Sequence, residues 1–380
     1  MSSADPQVET VVDLDAIAHN VRILRAHAGD AAVMAVVKAD AYNHGAVQVG
    51  RAALAAGATE LGVTTIDEAL ELRAAGITAP ILSWLNTSDA DYAAAIAAGI
   101  EIGVSSTAHL RAVERAARAT GASAIVTLKV DTGLNRNGVS AGEYPEVLTL
   151  LGRLVAEGVV RFRAMFSHLA HADQPRHPVI DVQRDRFVEA IATAKDHGLQ
   201  PELVHLANSA ATLTRPDLAF DMVRPGISVY GLNPVPDISD ADLRPAMTFR
   251  ARVALVKRVA QGEGVSYGHE WIAPHDTTVA LIPAGYADGV PRGLGGRIAL
   301  RIGDADYPNI GRVCMDQLVV DLGENPHRVR EGDRAVLFGG APGDPHAQQW
   351  ADLMHTIHYE IVCSPRGRVV RGYSGQAGVV

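Results

Sequence analysis

The sequence AVMAVVKADAYNH, residues 32–44, ends an apolar run on a lysine. Lys38 follows a segment that is typical of a buried strand, and Tyr42 comes four positions later. Lysine is among the residues least often buried in proteins. Its amine is also a nucleophile that forms Schiff bases with carbonyl compounds. Lys38 is therefore either an ordinary exposed residue at a strand end or a reactive amine at the edge of a site.

Later apolar runs also end on polar side chains that are able to bind an anion or to move a proton. If these runs are strands that end at one edge, their polar side chains come together there, whereas chance placement would scatter them. The polar residues are Lys129 with Arg136, His168, Asn208 with Ser209, and Arg224, which is followed by Gly226 and Ile227 with their backbone amides.

Eight β-rich runs alternate with Ala-, Leu- and Glu-rich helical segments over the first two-thirds of the chain. This alternation is typical of parallel βαβ units, and eight of them predict a closed (β/α)₈ TIM-type barrel over residues 1–240. Barrels of this type place their active sites at the carboxyl ends of the strands. The runs are 32–38, 60–65, 80–84, 101–106, 125–131, 162–168, 203–209 and 222–231.

Residues 241–380 have a different pattern, which predicts a second, mostly β domain. Helical periodicity largely disappears, and strand-like runs alternate with turns rich in Gly, Pro and Asp. One helix is predicted within this domain, at residues 350–362. The predicted fold is thus an α/β barrel followed by a mostly β C-terminal domain.

The last two strand ends of the barrel predict a phosphate site, because the loops after strands seven and eight commonly bind phosphate in such barrels. Ser209 offers a hydroxyl, and Gly226 lets the backbone approach an anion closely. The amides of Gly226 and Ile227 can point at that anion. A phosphate site together with Lys38 indicates pyridoxal 5′-phosphate (PLP), which has a phosphate to anchor and an aldehyde that a lysine takes up.

The segment AVVKADAYNHG resembles the cofactor-lysine signature of alanine racemases. Further motifs of that family follow in its order over nearly the whole chain. The resemblance implies a PLP-dependent homodimer that interconverts L- and D-alanine and so supplies D-alanine for peptidoglycan. The other motifs are KVDTGLNRNG, FSHLAHAD, HLANSAA, VRPGISVYG, VSYG, GYADG and GRVCMDQ.

The resemblance implies a two-base reaction. Lys38 would hold PLP and act on one face of the substrate Cα, and Tyr267, in VSYG, would act on the opposite face. A tyrosine has an ordinary pKa of about 10, so cations must lower it, and His168 and Arg224 are the candidates. The alternative for Tyr267 is an ordinary turn tyrosine in a β-hairpin. The resemblance assigns Tyr42, His168, Asn208, Ser209, Arg224, Gly226 and Ile227 to the cofactor site.

Arg224 resembles the family arginine that faces the pyridine nitrogen of PLP. Many PLP enzymes have a carboxylate at this place, which protonates the ring. A guanidinium cannot accept a proton, so the ring nitrogen would stay largely unprotonated. The resulting weaker carbanion delocalisation suits a racemase and argues against a decarboxylase on the related scaffold.

Lys129 and Arg136 are predicted to face the same pocket. Two cations about 4 Å apart repel by roughly 4 kcal/mol at an effective dielectric constant of about 20. The family removes this repulsion by carbamylating the lysine, and the arginine is then oriented toward PLP and the substrate carboxylate. In the alternative interpretation, Lys129 pairs with Asp131 or points to solvent.

The resemblance assigns two further residues in the β domain. The backbone amide of Met315, in VCMDQ, would help to hold the substrate carboxylate, and Tyr286, in GYADG, would line the substrate entrance. One departure concerns the tyrosine that many members carry before an Arg-Val-x-Arg run, where this chain has Gly367.

Composition argues against several other classes of protein. The formal net charge is -9 and no cluster of Lys and Arg occurs, so neither nucleic acid nor an anionic membrane is an expected partner. No signal peptide and no membrane-spanning run is recognisable, which predicts a cytoplasmic protein. We expect no metal, because the histidines of residues 168–177 lie in an irregular, proline-containing loop.

Two rival functions stay open at this stage. One is a racemase of broader amino-acid specificity on the same scaffold. The other is a non-catalytic PLP-binding barrel protein, although such proteins are single barrels and lack a counterpart of Tyr267 and of the GRVCMDQ segment.

Overall fold

The structure is a computed structural model and describes residues 5–378. Residues 15–41, 45–243 and 376–378 form one unit, which we call the barrel unit. Residues 5–14, 42–44 and 244–375 form the other, which we call the β unit, and its first strand is β1 (Val8–Asp13). No helix within the described range is long and apolar enough to cross a membrane.

Eight parallel strands close into a barrel in the barrel unit, which confirms the predicted fold. They are β2 (Ala32–Val36), β3 (Glu60–Val63), β4 (Ile81–Ser83), β5 (Glu101–Val104), β6 (Ala124–Lys129), β7 (Val160–Phe166), β8 (Leu203–Asn208) and β9 (Met222–Arg224). The pairing of β2 with β9 closes the circle. The run predicted at 222–231 is a strand only at its start, because Pro225 and Gly226 end it and a 3₁₀ turn (Ile227–Tyr230) follows.

Helices connect the barrel strands, and several begin at local capping residues. Thr65 and Glu68 form a reciprocal capping box at one helix start, and Ser106 caps another. The helices are α1 (Leu14–Ala28), α2 (Lys38–Asn43), α3 (Ala46–Ala55), α4 (Ile66–Ala74), α5 (Tyr92–Ala97), α6 (Thr107–Thr120), α7 (Tyr144–Ala156), α8 (Pro178–Asp196) and α9 (Ser209–Thr214).

The barrel interior combines apolar packing with one buried ionic cluster. A Cβ on Gly62 would come within 2.5 Å of the Trp84 ring, so only glycine leaves room for that indole. At the amino-terminal ends of β3 and β5, Glu60 and Glu101 both pair with the guanidinium of Arg163. Burial of such a cluster is tolerated only when its charges are paired.

A nine-stranded sheet dominates the β unit, in the order β11-β14-β17-β16-β15-β18-β10-β1-β19, and β12 pairs with β13 beside it. Here β1 runs antiparallel to β10 and parallel to β19. The strands are β10 (Met247–Arg252), β11 (Leu255–Val259), β12 (Gly264–Val265), β13 (Trp271–Ile272), β14 (Thr277–Ile282), β15 (Ala299–Ile302), β16 (Ala305–Ile310), β17 (Leu318–Gly323), β18 (Arg334–Phe338) and β19 (Val370–Ser374).

The prediction of one helix at residues 350–362 is wrong. The structure has two short helices, α10 (Ala347–Leu353) and α11 (His358–Val362). Between them His355 has φ of 53°, which a right-handed helix cannot contain.

Candidate active site

The carboxyl ends of the barrel strands carry the polar residues that the sequence singled out. Lys38 follows β2, Lys129 is the last residue of β6, His168 follows β7 and Arg224 is the last residue of β9. The charges of Lys38, Arg136 and Arg224 all act on both Lys129 and His168. The barrel therefore brings these five side chains into one electrostatic neighbourhood.

Lys38 begins a turn with unusual backbone. Residues 39–43 all have φ between 52° and 65°, so α2 is one turn of left-handed helix. L-residues avoid this conformation by roughly 1–2 kcal/mol each. The chain thus leaves β2 by a strained route, and the strain lies directly after the lysine.

Side-chain acceptors hold this turn within the barrel unit. Glu68 accepts a hydrogen bond from the Ala39 amide at 2.7 Å through Oε1 and one from the Thr64 amide at 2.6 Å through Oε2. Asp40 accepts a hydrogen bond from the Ala46 amide at 2.8 Å. Glu68 therefore joins the start of α4 to the residue after Lys38, a function that the local sequence does not reveal.

Lys129 is only 6% exposed, and its Nζ lies 5.4 Å from the centroid of the Phe166 ring. Burial, followed by the charges of Arg224, Arg136 and Lys38, lowers the pKa of Lys129 to about 8. A much larger fraction of this amine is therefore neutral, and hence nucleophilic, than in an exposed lysine.

The Asp131 carboxylate does not pair with Lys129 but binds backbone amides in the loop that leads to Arg136. Its Oδ1 accepts hydrogen bonds from the amides of Gly133 and Asn135 at 2.9 and 3.1 Å. Within residues 5–378 no carboxylate forms an ion pair with Lys129. The alternative in which Lys129 pairs with Asp131 is therefore wrong, and the alternative in which it points to solvent disagrees with its burial.

Arg224 is 5% exposed, and among residues 5–378 the groups that accept its hydrogen bonds are all neutral. Its guanidinium donates to the Ser167 carbonyl at 2.7 Å, to His205 Nδ1 at 2.9 Å and to the Leu206 carbonyl at 3.3 Å. Burial lowers the pKa of Arg224 to about 9, so it is still a cation at neutral pH. No described carboxylate pairs with it, and the site therefore presents a buried, uncompensated positive charge.

His205 is a residue of this site that the sequence reasoning missed. Its Nδ1 accepts a hydrogen bond from Arg224, so the ring carries its proton on Nε2. Burial and the charges of Arg224 and Arg163 hold the pKa of His205 well below its ordinary value. The ring stacks on Phe166 with centroids 5.2 Å apart. A single histidine in an apolar strand resembles an ordinary core residue, so only the HLANS motif could have signalled it.

His168 is half-buried after β7. Burial and then the charges of Arg224, Lys129, Arg136 and Lys38 lower its pKa to about 3. Within this chain the imidazole is therefore neutral at physiological pH, and of the two cations expected to act on a tyrosine only Arg224 is charged. A neutral imidazole can still donate or accept a hydrogen bond.

Gln183 of α8 fixes the loop that contains His168. This buried amide donates a hydrogen bond to the His168 carbonyl at 3.0 Å and accepts one from the Ala170 amide at 2.8 Å. It also donates to the Thr132 hydroxyl at 3.3 Å. One helix side chain thus ties together the loops after β6 and β7.

The predicted phosphate residues meet at the starts of α9 and of the 3₁₀ turn. Ser209 Oγ accepts hydrogen bonds from the amides of Gly226 at 2.8 Å and Ser228 at 3.3 Å. Asn208 caps α9 by accepting a hydrogen bond from the Ala211 amide, so its carboxamide has a structural role. Ile227 follows Gly226 at the start of the same turn. Ser209 Oγ therefore takes up the amides of Gly226 and Ser228, and the donors that can point at an anion are the Ser209 hydroxyl proton and the Ile227 amide.

In the β unit, Tyr42 is buried beside Tyr359, with ring centroids 6.0 Å apart. Burial and the proximity of Tyr359 and Cys363 raise the pKa of Tyr42 well above its ordinary value. Its phenol therefore stays protonated and is able to donate a hydrogen bond.

The other predicted residues of the β unit meet around Cys314. The Tyr286 amide donates a hydrogen bond to the Cys314 carbonyl at 3.0 Å, and Met315 is the next residue in the chain. Ser266, which precedes Tyr267, places its Oγ 3.2 Å from Cys314 Sγ. Tyr267 and Met315 are 72% and 53% exposed. Within this unit, Tyr267, Tyr286 and Met315 therefore lie on adjoining loops.

Gly367 stands where many members of the suggested family have a tyrosine. Its φ is 69°, and a Cβ there would approach the Ala287 carbonyl oxygen to 2.9 Å. The backbone at this position therefore disfavours any side chain. The difference from those family members thus involves the backbone conformation as well as the loss of the tyrosine ring.

Two family models match the chain. The one described as the alanine racemase N-terminal domain matches residues 12–234, and the alanine racemase C-terminal domain matches residues 246–373. An alanine racemase from Mycobacterium ulcerans is 59% identical over 96% of this chain and 94% of its own length. One from Mycobacterium tuberculosis strain H37Rv is 57% identical over 96% of this chain and 95% of its own length.

Solved structures give the same result. The alanine racemase of a D-cycloserine-producing Streptomyces lavendulae is 47% identical, with a TM-score of 0.95 over 98% of each chain. The Bacillus anthracis alanine racemase with bound L-Ala-P is 33% identical, with a TM-score of 0.88 over 99% of this chain and 97% of that one. By both its sequence and its two-domain fold, the chain belongs to the alanine racemase family.

Proposed function

We propose that this enzyme interconverts L- and D-alanine, with PLP held in the barrel and with Lys38 and Tyr267 as the two bases. The observation that carries the proposal is the buried Arg224 guanidinium, which has no described carboxylate partner and lies in the electrostatic neighbourhood of Lys38. A decarboxylase or transaminase of the PLP type would need an acid in this place. The product D-alanine would serve peptidoglycan synthesis, and the reaction would take place in the cytoplasm.

The residues present fit PLP. The Ser209 hydroxyl, whose oxygen accepts hydrogen bonds from the amides of Gly226 and Ser228, would donate its own proton to the phosphate, together with the Ile227 amide. Tyr42 is a protonated phenol that would donate to the same phosphate. Lys38 would hold the aldehyde carbon, and Arg224 would face the ring nitrogen.

When bound, PLP would supply an electron sink that acidifies the Cα–H bond of an attached amino acid. Lys38 would take or return the α-proton at Nζ on one face, and Tyr267 would do so at Oη on the other. Arg136 and the Met315 amide would hold the substrate carboxylate, and Tyr286 would line the entrance. Because the Arg224 guanidinium would leave the ring nitrogen largely unprotonated, less negative charge would spread into the ring and more would stay near Cα, where reprotonation gives racemisation.

Lys129 would carry a carbamate. With a pKa of about 8, roughly one amine in five is neutral at pH 7.4, which is the form that attacks CO₂. The nitrogen bonds to the carbon of CO₂ and releases one proton to solvent. The resulting anion would offset the charges of Arg136, Arg224 and Lys38, which otherwise repel the ammonium form.

The catalytic unit would be a homodimer in which residues 241–380 of one chain complete the barrel of the other. Tyr267, Ile272 and Met315 are exposed large side chains of the β unit, as expected for an interface. Mixing Lys38→Ala and Tyr267→Phe chains tests this arrangement. If Tyr267 acts in the partner's site, mixed dimers have one intact site and equal mixing restores about a quarter of parent activity. No recovery in proven mixed dimers would contradict it.

The central test is racemisation of L- and D-alanine, compared with a panel of other L-amino acids. We expect alanine to give the highest kcat/KM. Comparable values for several larger amino acids would indicate a broad-specificity racemase, and no turnover in a protein that binds PLP would indicate a non-catalytic PLP-binding protein. Borohydride reduction and peptide mapping should place a pyridoxyl group on Lys38.

A further inference from the structure

The residues on both sides of Tyr267 have strained backbone. Ser266 has φ of 66° and ψ of -175°, a region that essentially only glycine populates. After Tyr267, Gly268 has φ of 76° and His269 has φ of 46°. Such strain persists only where the surrounding structure holds it, and it is common at functional sites.

Arg312 contacts the loop on both sides of Tyr267. On one side, its carbonyl accepts a hydrogen bond from Ser266 Oγ at 2.9 Å. On the other side, its guanidinium pairs with Glu270 and packs over Gly268, where a Cβ would lie 3.3 Å from the guanidinium carbon. The Ser266 hydroxyl is therefore the direct side-chain anchor for the strained residue that precedes the tyrosine.

We propose that Ser266 is a positioning residue that sets the direction of the Tyr267 phenol, an inference that rests on the proposed role of Tyr267. The Tyr267 side chain is 72% exposed, so packing within the β unit constrains it little. Within its own chain, the direction of the ring is then set chiefly by the backbone at residues 266 and 267. Proton transfer depends steeply on geometry, and a displacement of about 1 Å costs about 10²-fold in rate.

Ser266→Ala removes the hydroxyl but keeps the Cβ. We expect kcat for racemisation to fall about 10- to 100-fold with little change in KM. The α-deuterium isotope effect should rise only in the direction in which Tyr267 removes the proton. In the alanine enantiomer whose α-hydrogen faces Lys38, exchange of that hydrogen with deuterated solvent without inversion needs Lys38 alone and should stay within about twofold of the parent.

Thr193→Ala is the matched control, because the Thr193 hydroxyl also donates to a backbone carbonyl at 2.9 Å, that of Glu189 on α8. It should leave all of these quantities unchanged. Ser266→Gly relieves the backbone strain while removing the anchor, so it should keep or raise Tm and still lose kcat. This variant separates positioning from folding.

Parent-like kcat and isotope effects in Ser266→Ala would overturn the proposal. So would an equal loss of racemisation and of non-inverting exchange, since that indicates general damage to the site. Failure of the proposed function would look different: Tyr267→Phe would then racemise alanine at the parent rate, or the parent would not racemise it at all.

Discussion

The turn after Lys38 and the loop around Tyr267 carry the two proposed bases, and both force L-residues into left-handed backbone. The first has five such residues in succession, at 39–43, whereas the second has Ser266 and His269. Each costs roughly 1–3 kcal/mol. The two segments differ in what holds them and in the charge that surrounds them.

The turn after Lys38 lies in the electrostatic neighbourhood of Arg136 and Arg224, and Glu68 anchors it to α4. The loop around Tyr267 is largely exposed and is held by one hydroxyl and one exposed ion pair. The charges of the barrel site thus come from strands that are far apart in the chain. In the β unit, the local backbone and its anchors set the direction of the Tyr267 side chain. In the proposed dimer, the positive charge next to Tyr267 would come from the partner's barrel.

Removal of each base should give the largest effects. Lys38→Ala should abolish racemisation and non-inverting α-hydrogen exchange together, by about 10⁴-fold. Tyr267→Phe should lose racemisation by about 10²- to 10⁴-fold while exchange at Lys38 persists. NMR in deuterated buffer, with chiral separation of the alanine, measures both quantities. Loss of exchange in Tyr267→Phe would remove the functional contrast between the two segments.

Arg224→Glu reverses the buried charge of the barrel and should lower racemisation by about 10²- to 10³-fold. It should also convert some alanine to pyruvate, with the amino group left on the cofactor, because a carboxylate would stabilise the protonated ring nitrogen. Arg224→Lys keeps the positive charge and is the control, which should form no pyruvate. Pyruvate is measured with lactate dehydrogenase. Normal racemisation without pyruvate in Arg224→Glu would show that this charge does not direct the reaction.

Substitution of Lys129 tests the same buried positive charge through the free energy of unfolding. Its pKa falls from 10.5 when unfolded to about 8 when folded, so the unfolded chain binds more protons between these values. The free energy of unfolding therefore rises with pH between these two values. Below pH 8, burial of the Lys129 ammonium destabilises the folded chain by the full amount of about 3 kcal/mol. In CO₂-free buffer, Lys129→Met should be more stable than the parent at pH 7, and this gain should vanish above pH 10.5.

Added bicarbonate should stabilise the parent at pH 8 but not Lys129→Met, because only the lysine forms a carbamate. Chemical denaturation at each pH gives both comparisons. If bicarbonate does not change the stability of the parent and Lys129 stays an ammonium, carbamylation is contradicted. The buried positive charges of Lys129 and Arg224 would then still be present.

Glu68→Ala should have the smallest effect on kcat, because it removes only the acceptor that anchors the turn after Lys38. Loss of the capping box costs about 1 kcal/mol, and release of the Ala39 amide should lower kcat about tenfold. Asp91→Ala is the matched control, since Asp91 caps α5 by accepting a hydrogen bond from the Ala94 amide at 2.9 Å. It should cost similar stability with no loss of kcat. Equal kcat in the two variants would mean that Glu68 is only a cap.

Local sequence patterns were enough to predict the alternation of strands and helices and the positions of Lys38, Lys129 and Arg224 at strand ends. These features follow from local periodicity and from turn residues such as Pro225 and Gly226, which neighbouring residues encode directly. Once eight parallel strands are assigned, barrel closure places their carboxyl ends on one rim.

The side chains that meet from distant parts of the chain, and the places where the backbone is strained, could not be predicted in this way. In the sequence, His205 resembles an ordinary core histidine. Its role follows only from the fold, in which Arg224 at the end of β9 donates a hydrogen bond to it. The left-handed turn contains no glycine that would signal it, and β1 joins a sheet whose other strands begin at Met247. Each of these features is stabilised by contacts between residues far apart in the chain, which no local pattern encodes.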